Sequence, residues 1–181
     1  MRTIIKTSLV MLAVTLTPAL AQAQTPQTDS AAIGGDVGIF FPKSDGLTSG
    51  LALDGFYEYY LSPRTSIRLG GGLMNPKLKR DEDDSRRYIR VGGDIVYNWE
   101  GGAVHPFVGA GVGAYFLQDR DNGDSVGDQE TKLGGNLFGG VEFFTSNTLS
   151  VKAEAKYHLI SDVGAFDPDG FSLTIGLKKY F

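Results

Sequence analysis

The sequence of 181 residues has no cysteine, which excludes disulfide bonds, thiolate metal ligands and a cysteine nucleophile. Beyond its N-terminal segment it also has no run of about 18 consecutive apolar residues, so no transmembrane helix is predicted. Basic residues are in deficit, with 17 Lys and Arg against 21 Asp and Glu. This balance disfavours nucleic acid as a partner, because nucleic-acid binding requires a basic face. Glycine is abundant instead, with 25 residues, roughly twice the usual share.

The first 23 residues have the layout of a secretory signal peptide. Arg2 and Lys6 precede an uncharged apolar stretch at 8–20, and Ala-Gln-Ala at 21–23 supplies the small residues that a signal peptidase requires. The apolar stretch is shorter than the roughly 20 residues of a membrane-spanning helix, which disfavours an uncleaved anchor. We therefore predict a signal peptide at 1–23, a flexible lead-in at 24–30 and a single domain at 31–181.

From residue 31 onward the apolar residues recur with a period of two, which indicates β-strands. Most of the runs are longer than the five or six residues usual in soluble sheets. A tilted strand needs about 9 to 11 residues to cross a bilayer, so the length of the runs favours the membrane. The eight predicted strands are 31–41, 50–61, 65–74, 87–99, 106–117, 133–144, 149–160 and 171–181.

The two faces of each predicted strand differ in polarity. In the seventh, Val151, Ala153 and Leu159 share one face, and Lys152 and Glu154 lie on the other. A soluble lipocalin-like barrel, which binds a small apolar ligand, would turn the apolar face inward, whereas a membrane barrel turns it toward lipid. Glycines among the charges of the polar faces fit the crowded interior of a narrow membrane barrel. Aromatic residues near the ends of the apolar faces fit its two interfacial girdles.

The connections between the predicted strands alternate in length. Long polar ones are 42–49, 75–86, 118–132 and 161–170, and short ones are 62–64, 100–105 and 145–148. Membrane barrels have long loops outside the cell and short turns in the periplasm. The fold class is therefore predicted to be all-β, an eight-stranded antiparallel up-and-down transmembrane β-barrel, with extracellular loops and both termini in the periplasm.

Charges on the polar faces nearly cancel, and the sequence therefore predicts an interior network of ion pairs. Unpaired buried charges would each cost several kcal/mol. An eight-stranded barrel has an interior just wide enough for side chains to fill, so we expect a plugged lumen instead of an open pore. The predicted lumen charge network comprises Asp36, Asp54, Glu58, Arg68, Arg90, Asp94, Glu142, Lys152, Glu154, Lys156, His158 and Lys178.

Three segments resemble the small outer-membrane β-barrel family of the OmpA and OmpX type. They are the glycine-rich strand at 105–115, the hairpin at 139–158 and the last strand at 171–181. The last strand is similar to the C-terminal signal that the barrel-assembly machinery recognises, although Lys179 stands where such signals more often have an apolar residue. The residues that carry this assembly signal are Phe171, Leu173, Ile175, Leu177 and Phe181.

The resemblance implies a location and a fold, but no single activity. The expected protein is a monomer in the outer membrane of a Gram-negative-type cell, in contact with outer-membrane lipid and lipopolysaccharide. The expected function is structural or interaction-based: envelope integrity, adhesion or ligand contact through four extracellular loops. Neither catalysis nor a cofactor is expected.

An outer-membrane enzyme that modifies lipid, like the lipid A deacylases, is the first alternative. His158, Ser161 and Glu154 supply its residue types, but His158 and Ser161 are three positions apart near the end of a strand, so they point to opposite faces. A calcium loop beginning at Asp119 is disfavoured, because Gly123 and Asp124 stand where an oxygen ligand and then glycine are required.

Overall fold

The computed structural model describes residues 26–79, 84–99, 102, 104–121, 124–161 and 167–181. The predicted signal peptide lies outside these residues and stays a prediction. Within the described part, the strands form one closed antiparallel barrel in chain order, because each strand pairs with the next and the last pairs with the first. The predicted fold class is therefore confirmed. The strands are β1 (Ala31–Pro42), β2 (Leu47–Tyr60), β3 (Thr65–Leu78), β4 (Ser85–Asn98), β5 (Val104–Asp121), β6 (Asp124–Ser146), β7 (Leu149–Ile160) and β8 (Gly170–Tyr180).

The barrel has two different ends. The turn end carries Phe181, the start of β1 and tight connections such as 61–64 and 147–148. The loop end carries the end of β1, β3, β5 and β7 and the start of β2, β4, β6 and β8. No helix long and apolar enough to cross a membrane is formed by the residues described above.

The prediction of a third long loop at 118–132 is wrong, because most of these residues belong to strands. β5 continues to Asp121, and β6 begins at Asp124. The side chain of Gln118 donates hydrogen bonds to the carbonyls of Val126 (2.9 Å) and Gly127 (3.3 Å), across the bulge where the register shifts. The search for alternating apolar residues could not detect these strand ends. A hairpin exposed to water on both faces buries neither of them, so its sequence does not alternate. We call residues 118–121 and 124–130 the protruding hairpin.

The outer face of the barrel is apolar. Val112 and Leu133 are 71% and 74% exposed, and Ile95 and Ile175 are exposed as well. Such a continuous exposed apolar surface is stable only against another apolar phase. It agrees with the membrane barrel and excludes the alternative of a soluble lipocalin-like barrel, whose apolar face would be internal. Aromatic residues flank this belt, including Tyr97 and Trp99, whose rings pack edge to face with centroids 5.0 Å apart.

Glycines on the inner face are required by packing, whereas some on the outer face are not. A Cβ at Gly38, which faces inward, would lie 2.6 Å from the Cα of Thr174 on β8. A Cβ at Gly55, which faces outward, would meet no atom within 4 Å. The inner glycines therefore allow the backbones and long charged side chains to approach one another inside a narrow barrel.

Candidate functional site

A cluster of buried charges occupies the middle of the barrel interior, and within it Glu154 on β7 contacts three cations. The Glu154 carboxylate accepts hydrogen bonds from Arg68 (2.8 Å) and Lys152 (2.9 Å). It also forms an ion pair with Lys156 at 3.0 Å. The Glu154 side chain is only 2% exposed, so its charge is stabilised by these three cations and not by bulk water.

The same cluster connects strands that are not neighbours in the barrel wall. Lys152 on β7 lies 2.7 Å from Asp36 on β1, and Arg68 on β3 lies 2.8 Å from Glu154 on β7. Lys178 on β8 is 3.2 Å from Glu58. We call this group the central charge cluster; its members are Asp36, Asp54, Glu58, Arg68, Glu142, Lys152, Glu154, Lys156 and Lys178.

Neutral polar side chains complete the hydrogen bonding of the central charge cluster. Ser66 donates to Glu58 at 2.6 Å, and Ser150 and Tyr180 both donate to Glu142. Lys178 donates to the hydroxyl of Tyr60 at 2.6 Å. These residues were absent from the predicted network, which contained only Asp, Glu, Arg, Lys and His side chains of the polar faces. Strand parity was the signal that could have identified them, because they share the inward faces of the charges.

Aromatic rings separate parts of the cluster and stabilise its cations. The guanidinium carbon of Arg68 lies 4.4 Å from the centroid of Phe56, and the Lys152 ammonium nitrogen lies 4.9 Å from the same ring. At these distances the electron-rich face of the ring attracts the positive charge.

A second, smaller set of polar contacts lies on β4 and β6. Arg90 donates to Asp94 at 2.5 Å, and Asn136 donates to the same carboxylate oxygen at 3.0 Å. All three side chains are buried. Arg90 and Asp94 therefore neutralise each other apart from the central charge cluster.

His158 lies inside the barrel, but its neighbours are mostly uncharged. Its Nδ1 is 3.1 Å from the Tyr115 hydroxyl, and its Nε2 is 3.2 Å from the Ser172 hydroxyl. The ring packs edge to face on Phe40, with centroids 5.9 Å apart. Strand parity predicts the correct face, but the two hydroxyl groups and the ring that contact His158 come from three other strands.

Two apolar layers enclose the charged interior. The layer at the turn end consists of Ala32, Tyr60 and Tyr180, with Phe144 packed against them. The layer at the loop end consists of Phe40, Leu47, Ala52, Met74, Tyr88, Tyr115, Leu117 and Ile160. Charged and polar groups in the middle of the barrel are thus separated from water at both ends, and the buried side chains fill its cross-section.

All twelve residues of the predicted lumen network point into the barrel. Eleven of them are buried, and Asp54 is partly buried. The five residues of the predicted assembly signal lie on the outer side of β8 or at its end, where Leu173, Ile175, Leu177 and Phe181 are exposed. The structure does not test their role in assembly, which stays a prediction.

The side chains of the enzyme alternative do not converge. Ser161 donates to the carbonyl of Leu133 at 2.9 Å on the exposed surface, whereas His158 is buried in the interior. In the described part of the chain, no three His, Asp or Glu side chains are grouped so that they could hold a metal ion. Of the calcium loop, Gly123 lies outside the described residues, and Asp119 is bound to Arg86 at 2.5 Å.

Ion pairs also tie the loop end together. The Lys43 ammonium lies 2.6 Å from Asp167, and both side chains are partly exposed. The hydrogen bond from Lys43 holds the pKa of the Asp167 carboxyl below its usual value, and the same bond raises the pKa of Lys43. The pair therefore stays charged at neutral pH, and its small contribution is lost as the pH falls through the lowered pKa of Asp167 or rises through the raised pKa of Lys43.

A closed barrel with an apolar exterior and a packed, charged interior defines the class of small transmembrane β-barrels. The family model described as "outer membrane protein beta-barrel domain" matches residues 9–179. The chain belongs to this family, and it is a protein of the outer membrane. The predicted resemblance is confirmed.

Solved structures with this fold are similar in backbone but distant in sequence. Neisserial surface protein A matches with a TM-score of 0.71 and 15% identity, over 83% of this chain and 97% of its own. Ail, the attachment invasion locus protein of Yersinia pestis, matches with a TM-score of 0.60 and 15% identity, over 86% of this chain and 100% of its own. The outer membrane enzyme PagL matches with a TM-score of 0.51 and 16% identity, over 82% of this chain and 98% of its own. No curated protein matches this chain in sequence.

Proposed function

We propose that this protein is a sealed outer-membrane barrel that functions through contacts made at its loop end, in envelope integrity, adhesion or ligand contact. The observation that carries this proposal is the contrast between the two parts of the molecule. The interior is filled by paired charges between two apolar layers, whereas the protruding hairpin is exposed and polar. A filled interior does not support transport through the barrel, and the exposed hairpin offers a surface for partners.

The protruding hairpin extends well beyond the apolar belt. The last outward row of apolar residues includes Ile89 and Phe116, and β5 continues to Asp121. At about 3.3 Å per residue, these five further residues reach roughly 16 Å past that row. The attachment invasion locus protein Ail of Yersinia pestis has the same fold, which supports a contact function. The hairpin is therefore the part of this chain that we propose as its contact surface.

The proposed orientation has the loop end outside the cell and both termini in the periplasm, because barrels of this class have short periplasmic turns and longer extracellular loops. In this orientation the apolar belt contacts membrane lipid, and the loop end lies at the level of lipopolysaccharide. The proposed state is a monomer. The barrel-assembly machinery is the proposed partner during biogenesis, through the outward residues of β8.

Catalysis on lipid is not favoured by the described residues. An enzyme of this kind needs a nucleophile and a base within hydrogen-bond reach and open to the bilayer. His158 and Ser161 instead have separate partners, one inside the barrel and one on its surface. The fold that this chain shares with PagL does not imply a shared enzymatic activity, because one fold supports several functions.

We expect this protein to fractionate with outer membranes and to show heat-modifiable mobility on SDS gels. A closed barrel satisfies all its strand hydrogen bonds internally, so it resists SDS until heated. The measurement compares boiled and unboiled samples of the membrane fraction. Recovery of the protein in the soluble fraction would contradict a function in the outer membrane.

We expect no large, stable conductance when the purified barrel is inserted into planar bilayers. The apolar layers at both ends and the ion pairs between them exclude a continuous water path. The recording is made on protein that shows the heat-modifiable shift, so that unfolded material is not mistaken for a sealed barrel. Stable channel openings in that sample would show that the interior is not sealed.

A further inference from the structure

Three cationic side chains lie on the outer wall of the barrel at the loop end. The register aligns Lys77 on β3 with Ser85 on β4, and Ser85 with Arg120 on β5. Arg87 lies two residues nearer the middle of the barrel and pairs with Gln118. All three cations share the outward faces of their strands, on the same side as Ile89 and Phe116. We call Lys77, Arg87 and Arg120 the outer-wall basic cluster.

The cluster differs from other basic groups of the barrel because its charges have no carboxylate partner among the described residues. Arg86, the neighbour of Arg87, points the other way and holds Asp119 with two hydrogen bonds, of 2.5 and 2.7 Å. The buried cations of the central charge cluster are likewise paired with carboxylates. In contrast, the Nε atoms of Arg87 and Arg120 are shielded from solvent and have no hydrogen-bond partner in the described part of the chain.

The position of the cluster matches the boundary between hydrocarbon and headgroups. The next outward row toward the barrel middle is Leu73, Ile89 and Phe116, which is apolar. Arg87 follows directly after this row, and Lys77 and Arg120 lie one row farther. Neighbouring strands are about 4.8 Å apart, so side chains as long as Lys and Arg on three adjacent strands can converge on a single anionic group. Charged residues near the interface cost little, whereas at the bilayer midplane they would be strongly unfavourable.

We propose that the outer-wall basic cluster is a binding site for the phosphate groups of an outer-leaflet glycolipid. Guanidinium groups bind phosphate oxygens with two parallel hydrogen bonds, which the terminal nitrogens of Arg87 and Arg120 would donate to the lipid phosphate. The apolar row below the cluster provides the surface along which the acyl chains of the same lipid lie. The assignment to the outer leaflet rests on the proposed orientation of the loop end.

The test uses protein extracted from membranes with detergent and titrated with bisphosphorylated lipid A, with bound lipid measured by native mass spectrometry. The R87Q/R120Q variant is expected to bind about 25-fold more weakly, since each basic residue near a phosphate surface contributes about fivefold. A matched control, R64Q/K179Q, removes the same charge at the turn end and is expected to stay within about twofold of the wild type. All proteins are first checked for the heat-modifiable shift.

A second measurement needs no variant. Wild-type protein is expected to lose binding when both phosphates are removed from the lipid A, while inorganic phosphate at millimolar concentration does not compete. Equal binding of dephosphorylated lipid A, or an equal loss in both double variants, would overturn the proposed site. Full competition by inorganic phosphate would also overturn it, because the ligand would then be free phosphate. A barrel that is sealed and membrane-bound but fails these tests refutes the site and leaves the proposed function standing.

Discussion

Replacing Glu154 with Gln is expected to destabilise the barrel by about 3 to 5 kcal/mol, the usual cost of removing one member of a buried ion pair. The substitution keeps the size of the side chain but removes the charge that three cations share. Lys156 would then depend on Asp54, at 3.8 Å, as its remaining carboxylate partner in the described part of the chain. The measurement is the free energy of unfolding in urea, and unfolding is monitored through the loss of the heat-modifiable form.

The exposed pair of Lys43 and Asp167 provides the control for Glu154. Its ammonium and carboxylate are 2.6 Å apart, as close as the buried pairs, but the two side chains are 55% and 39% exposed. Replacing Lys43 with Gln is therefore expected to change the free energy of unfolding by less than about 1 kcal/mol. Similar losses for both variants would mean that burial does not determine the strength of the interior pairs.

Replacing Gly38 with Ala is expected to destabilise the barrel by about 3 kcal/mol or to block its assembly, since overpacking at backbone cannot be relieved by rotating a side chain. The added methyl group would press against the backbone of Leu173 and Thr174, where β8 closes on β1. The measurements are the yield of heat-modifiable protein in the membrane and its urea midpoint.

Gly55 is the matched position on the outer face. Replacing it with Ala is expected to raise the free energy of unfolding by about 0.5 to 1 kcal/mol, because alanine reduces the freedom of the unfolded chain and meets no atom in the fold. The φ angle of Gly55 is also not positive, so its backbone conformation is one that alanine adopts without strain. If G38A and G55A had the same effect, glycine would serve strand geometry here and not interior packing.

The sequence allowed the fold and the inward face of each strand to be predicted, because a period of two is a local property. Lys152 and Glu154 could be assigned to the interior from their neighbours alone. That Lys152 meets Asp36 could not be predicted, because this contact depends on how far the register staggers around the closed barrel. Which charges pair is determined by the closure of the barrel, and the sequence of a single strand does not contain that information.

The two sites at the loop end were hidden from the sequence for a different reason. The strands of the protruding hairpin lack apolar alternation, and the bonds that hold them, such as those of Gln118, are mostly to backbone. Lys77, Arg87 and Arg120 stand on three separate strands, so no short stretch of the sequence unites them. Their significance emerges only when the register brings three strands side by side and the neighbouring Arg86 proves to be paired.

The cross-barrel ion pairs also constrain how this barrel can be assembled. The ion-paired Arg68 and Glu154 are separated by 86 residues in the chain, and Lys178 is separated from its hydrogen-bond partner Tyr60 by 118. Contacts of such high sequence separation form late, because the chain between them must be ordered first. An open sheet that still lacks β8 would leave Glu58 with Arg68 alone, and Glu142 without Lys178, its cation partner in the described part of the chain. The interior can therefore lose its water only in the step that joins β1 to β8, so closure, burial of charge and insertion of the last strand form one cooperative event.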